Sequence, residues 1–315
     1  MYYPYFRGKQ YDLITIREQS DLIASAGFIP IIEPVKEAIN GLKRTLESLR
    51  LSNGSAVVIL NPANGFYKDD NTQPIRDILT EDFGEYRNFL AGILLVEQTD
   101  LHEIQSLLQE HSDRPIAFIH AGFSAPKLIL ELNIPSETHI THIFIEQYCG
   151  KLYRKHFAGA NRVLVKDGFK KRSANKLHPD VEPFSDLHIT YTEESVDGFG
   201  DFLIVGDDYS ESGGPAWSVA IHITFIDHEN DDEMYLYHFK SDRNDTPTDP
   251  AGKFLEALEK LVTNVGDSET KIYRTSAIEE FIRLYQSQHF PGLGYVKKLS
   301  MQHHIETMAH YLSKQ

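Results

Sequence analysis

The chain carries one cysteine, Cys149, in 315 residues, so it can form no internal disulfide and no cysteine-rich metal site. Long apolar runs are missing too. The longest, Phe89 to Val96, is eight residues, whereas a membrane span needs about 20. The opening segment from Met1 to Lys9 holds no apolar signal-peptide stretch, so a cytoplasmic protein without membrane contact is expected. Basic residues are scarce: 31 Lys and Arg face 46 Asp and Glu, for a formal net charge of −15. That balance argues against extensive DNA-backbone binding, which needs a basic face. What is present is core material. Hydrophobic residues make up 41% and aromatics 11%, which excludes an intrinsically disordered chain. At roughly 150 residues per domain the length suits two domains, or one α/β barrel with additions.

Short apolar runs, each ending in a polar residue, recur through the first two thirds. They are Tyr2–Arg7, Phe28–Glu33, Ala56–Asn61, Leu90–Glu97, Pro115–His120, Thr141–Glu146, Arg162–Asp167 and Phe202–Asp207. Continuous rather than alternating apolar runs are what strands buried on both faces look like. Helix-period segments lie between them, over Leu13–Ala26, Ala38–Leu51, His102–Gln109 and Lys127–Leu132. Strands separated by crossover helices pair in parallel, and eight of them close an α/β fold of the (β/α)8 TIM-barrel type. A doubly wound open sheet is the alternative, but Arg7-Gly8-Lys9-Gln10 is not the glycine-rich phosphate turn that fold usually carries.

The pattern then changes. From Trp217 to Phe225 the residues alternate with period two, an acidic segment follows over Asp227–Glu233, and a second strand starts at Met234. This reads as a β-hairpin. A loop centred near Asn230 sets His222 opposite His238, near enough to share a proton or a metal. Two histidines do not make a zinc site, which takes at least three protein ligands. Three helices are expected over Gly252–Val265, Ser276–Ser287 and Met301–Lys314. His303, His304 and His310 on the last are expected at its surface. The expectation is one domain over 1–315: a barrel core over about 1–210, with the hairpin and closing helices over about 211–315.

A parallel barrel gathers its functional side chains at the carboxyl ends of its strands. Crowded charges there shift pKa values and support acid/base work. Glu33, Glu146, Asp207 and His222 are the candidate catalytic residues. Arg7, Lys9, Asn61, Lys166, Gly213 and Gly214 are the candidate ligand-binding residues. The twin aspartates Asp207 and Asp208, next to Gly213-Gly214, suit a divalent metal such as Mg. Glu33 and Glu146 across the mouth would also suit a glycosidase-like hydrolase. The basic run from Lys166 to Lys176 follows the seventh run, where barrels often bind phosphate. Polar residues also end strands simply because strands end at solvent, and both readings stay open.

The opening Met1-Tyr2-Tyr3-Pro4-Tyr5-Phe6-Arg7-Gly8-Lys9-Gln10, Ile29 to Pro34, Gly198 to Phe202 and Gly206 to Tyr209 resemble the bacterial "beta protein" family of phage satellites and other mobile elements. Gly213-Gly214 and Ala220 to Thr224 extend the resemblance. It singles out Arg7, Gly8, Lys9, Gln10, Glu33, Asp201, Asp207, Gly213, Gly214, His222 and His238. It implies a barrel-like fold and a role in phage defence, and it transfers no reaction. The expectation is therefore a barrel that hydrolyses or binds a phosphorylated or nucleotide-like anionic ligand at its mouth, with phosphodiesterase-like hydrolysis favoured if it is an enzyme. The alternative is a non-enzymatic sensor or antitoxin-like partner of a protein encoded nearby.

Overall fold

The computed structural model describes residues 1–69, 71–211 and 214–314. Its strands, in chain order, are β1 (Tyr5–Phe6), β2 (Ile31–Ile32), β3 (Ala56–Ile59), β4 (Phe89–Leu95), β5 (Ile116–His120), β6 (Ile140–Ile145), β7 (Asn161–Lys166), β8 (Val181–Ser185), β9 (Gly198–Asp201), β10 (Ala220–Asp227) and β11 (Glu233–Lys240). Two compact units emerge: Met1–Asp167 with Thr190–Phe202, and Gly168–Ile189 with Leu203–Gln315. Among the described residues no helix is long and apolar enough to cross a membrane.

The first unit is the barrel. Strands β1 to β7 and β9 form one sheet in that order, every neighbouring pair parallel. A parallel bridge between Tyr2 and Phe199 joins the last strand to the first. Strand alternation sends one set of side chains inward. Tyr3, Tyr5, Ile31, Val57, Ile59, Ala117, Ile119, Ile143, Ile145, Val163 and Val165 fill the interior with Leu90, Leu94 and Phe202. Large and small residues share that space: a Cβ on Gly92, between Leu90 and Leu94, would lie 2.8 Å from Val57 Cγ1. The outward set packs under helices. Helix Asn40–Leu51 buries Leu42, Leu46 and Leu49 as one stripe, and its Thr45 donates to Leu13 O at 3.0 Å.

The eighth strand is Gly198–Asp201, not the apolar run Phe202–Asp207. Leu203 has φ 49° and Gly206 φ 76°, so the chain turns through that run instead of extending. The strand sits at the glycines because only they admit the neighbour. An ideal Cβ on Gly200 would lie 2.1 Å from Tyr3 O, and one on Gly198 would lie 2.9 Å from Met1 O.

Buried imidazoles give the barrel unit an acid limit. Burial pushes His111 and His142 down to about 4, below the usual value near 6.5. Both are therefore neutral in the fold, while the unfolded chain takes up their protons once the pH drops below about 6.5. Their contribution is complete above that pH, declines as the pH falls from about 6.5 to 4, and is gone below. Each is worth up to about 3 kcal/mol. The urea midpoint should fall across that window. His111, whose ring nitrogens are buried without a hydrogen bond, should flatten the fall when replaced by Leu. A midpoint equally steep in His111→Leu would contradict this assignment.

The second unit is a three-stranded antiparallel sheet, order β10-β11-β8, with three helices, Pro250–Gly266, Ser276–Gln286 and Leu293–Leu312. Val219, Ile221, Ile223 and Phe239 pack on Phe254, Leu258, Leu261, Ile278 and Phe281 of the first two helices. The third is buried nearly all round. Its His303 and His304 are core residues, not surface ones, because hydroxyls satisfy them. Thr275 Oγ1 lies 2.8 Å from His303 Nδ1, and Thr224 Oγ1 lies 3.1 Å from His304 Nδ1. His310 is half-buried and stacks on Tyr273 with ring centres 3.8 Å apart.

Candidate functional site

At the carboxyl ends of β1 and β2 the barrel holds a closed polar network around Glu33. This carboxylate is fully buried. It is ion-paired to the buried Arg7 guanidinium, and it accepts from Tyr5 Oη at 2.9 Å, Ala63 N at 3.1 Å and Asn64 Nδ2 at 3.0 Å. Arg7 lies over the rings of Tyr5, at 4.9 Å, and Phe202, at 5.5 Å. The backbone makes this close. Gly8 has φ +61°, and a Cβ there would stand 2.7 Å from Glu33 O. Only glycine fits the turn that brings Arg7-Gly8-Lys9 against β2.

Such a network changes what Glu33 can do. A carboxylate with a cation and three neutral donors has its oxygen lone pairs engaged. Glu33, expected as a catalytic residue, is thereby held as the ion-pair partner of Arg7. Asn61, expected as a ligand-binding residue, donates its amide to Leu94 O at 3.0 Å and accepts from Leu94 N at 2.8 Å, tying β3 to β4. Lys9 is half-buried just before helix Gln10–Glu18. Lys166 is half-buried, ends β7, and pairs in register with Asp201 of β9. Asp201 is buried and accepts from Tyr2 Oη at 2.8 Å; burial foremost, then this carboxylate, raises the Tyr2 pKa. Glu146 is exposed on a short 3₁₀ turn after β6.

The aspartate pair belongs elsewhere. Asp207 and Asp208 follow the turn after β9 and fall in the second unit, so neither ends a barrel strand. Asp208 is exposed and ion-paired with Lys171 at 3.2 Å. Among the described residues neither belongs to a group of three or more metal-ligating side chains. Gly214 is exposed. Gly213 lies outside the described residues.

His222 does have the predicted neighbour. In the second unit β10 and β11 pair with His222 opposite His238, and their Nδ1 atoms are 2.7 Å apart. A third imidazole, His178, comes from the segment before β8 and stacks on His238 with ring centres 4.3 Å apart. One ligand nitrogen from each of the three lies within 4.8 Å of the others. Sequence reasoning missed His178 because it stands in a loop, before a short strand that contains Pro183. That strand is at the sheet edge, where proline is tolerated.

The cluster has a polar frame. Glu182 Oε1 lies 3.1 Å from His238 Nε2 and 3.7 Å from His178 Nδ1. Arg172 donates to Glu182 Oε2 at 2.8 Å. Burial, then the neighbouring imidazoles and cations, pushes His238 down to about 3, and burial foremost lowers His222 and His178. All three rings are thus neutral near pH 7, the form that ligates metals.

No protein-family model matches the chain, and no curated protein matches its sequence.

Proposed function

We propose that the barrel unit is a recognition scaffold that binds a phosphorylated or nucleotide-like ligand at its mouth, in a mobile-element or phage-defence setting as the family resemblance implies. The observation that carries the binding reading, over hydrolysis by Glu33, is the saturated network around Glu33. A carboxylate locked between a guanidinium and three donors gives a rigid floor for recognition, and preorganisation of that kind favours binding. Lys9 and Lys166, half-buried at the ends of β1 and β7, supply the cationic contacts. The mobile-element setting rests on the resemblance carried by Arg7 to Gln10 and Ile29 to Pro34.

The test is thermal denaturation with AMP, ADP, ATP and inorganic phosphate. At least one nucleotide should raise the melting temperature. Lys9→Gln and Lys166→Gln, which leave the Glu33 network intact, should each weaken the apparent affinity at least fivefold. No shift with any of the four, or a shift that survives both substitutions, would overturn the reading. So would nucleotide turnover abolished by Glu33→Gln in a protein that stays folded.

A further inference from the structure

We propose that His178, His222 and His238 form a divalent transition-metal site of the zinc class in the second unit, with a fourth position open to water. The order of hydrogen bonds assigns the nitrogens. Glu182 Oε1 accepts a hydrogen bond from His238 Nε2–H at 3.1 Å, which leaves His238 Nδ1 with a lone pair facing His222 Nδ1, 2.7 Å away. His178 turns Nδ1 towards the same Glu182 oxygen, at 3.7 Å, so Nε2 is the atom it offers. In the metal-free protein one proton must sit between the two Nδ1 atoms, carried by His222. A cation takes the place of that proton, which moves to His222 Nε2. The ring stays neutral throughout, since the proton moves from one of its nitrogens to the other.

The geometry is near what the metal needs. Nitrogens about 2.0–2.1 Å from a tetrahedral zinc stand roughly 3.3 Å apart. The three already lie within 4.8 Å of one another. Strand register fixes the backbones of His222 and His238; their rings turn apart from the 2.7 Å of the shared proton to the metal spacing, and the closing shift falls to His178. Its loop is tied to the hairpin without being part of it: Lys240 Nζ donates to His178 O at 2.5 Å, and His238 N donates to Asp180 O at 2.9 Å. The Glu182 carboxylate behind His238, itself held by Arg172, is the outer support that orients metal-bound histidines and raises their basicity. His178 Nδ1 is buried without a hydrogen bond of its own, and a small closure onto Glu182 would satisfy it as the metal is bound. Phe169, with its ring centre 5.1 Å from that of His222, adds an apolar wall. Three histidines and no cysteine or carboxylate in the inner set point to zinc, cobalt or nickel and away from magnesium or calcium.

The experiment uses the untagged full chain, stripped with chelator and then titrated with Zn²⁺. One equivalent should bind tightly and raise the melting temperature. X-ray absorption at the zinc edge should count three imidazoles in the first shell. His178→Gln should weaken zinc at least a hundredfold, and Glu182→Gln tenfold to a hundredfold. His228→Gln, at an exposed hairpin position, should leave it unchanged. A folded wild-type chain that takes up no stoichiometric zinc would overturn the proposal. So would a first shell with two imidazoles or fewer, a count that does not depend on any variant folding. Affinity unchanged in His178→Gln would also overturn it.

Discussion

Gly200→Val should leave the barrel unable to close. The strand-to-strand seam between the chain start and β9 depends on Tyr3 N donating to Phe199 O at 2.8 Å and Phe199 N donating to Met1 O at 3.0 Å. A side chain on Gly200 would begin 2.1 Å from Tyr3 O and 3.1 Å from Val165 Cγ2. Backbone is on one side and a packed barrel side chain on the other, so neither can yield cheaply. The expected loss is at least about 3 kcal/mol, at or beyond the upper end for overpacking. A urea titration followed by far-ultraviolet circular dichroism reads it. Gly150→Ala, where an added Cβ meets nothing within 4 Å, should change stability by less than about 0.5 kcal/mol. If the two variants unfold alike, the seam is not where the structure puts it.

Glu33→Leu should cost about 3–5 kcal/mol, because it leaves the buried Arg7 guanidinium without its counter-charge. The substitution also removes the acceptor for Tyr5 Oη, Ala63 N and Asn64 Nδ2, and each buried donor left unsatisfied costs about 1–3 kcal/mol more unless it finds water. Glu33→Gln keeps shape and an acceptor oxygen, so its cost should be clearly smaller. Chemical denaturation of the three proteins side by side checks the ranking. Equal stability for Glu33→Leu and wild type would mean that the carboxylate is not the partner of Arg7.

The barrel was largely legible in the sequence, for a physical reason. Strands buried on both faces must be apolar throughout, and β3, β4 and β5 are buried at every position. The eighth strand was misplaced by a few residues because Gly198-Phe199-Gly200-Asp201 has poor strand propensity, while Phe202-Leu203-Ile204-Val205 has good propensity. Close approach to Tyr3 decided the matter, and propensity does not contain that information. At the hairpin, loop symmetry was enough to pair His222 with His238. The third histidine was beyond reach, since nothing local in His178-Pro179-Asp180 says which strand pair it will meet. His303 and His304 misled for a related reason: a histidine is read as polar until its partner is known, and here the partners are threonines distant in sequence. The residue type of Glu33 and its strand-end position were visible, but not its three donors and ion-paired guanidinium. That network is what distinguishes it from a carboxylate left free at the mouth.

Whether Glu33 acts through Arg7 and not on substrate is measured directly by a double-mutant cycle. Stability is determined for wild type, Arg7→Met, Glu33→Leu and the double variant. If the pair is a unit, the double variant is less destabilised than the two single changes summed, by at least about 2 kcal/mol, since it leaves no uncompensated charge. Losses that simply add would show two independent residues, and would return Glu33 to the role of a free carboxylate available for acid or base chemistry.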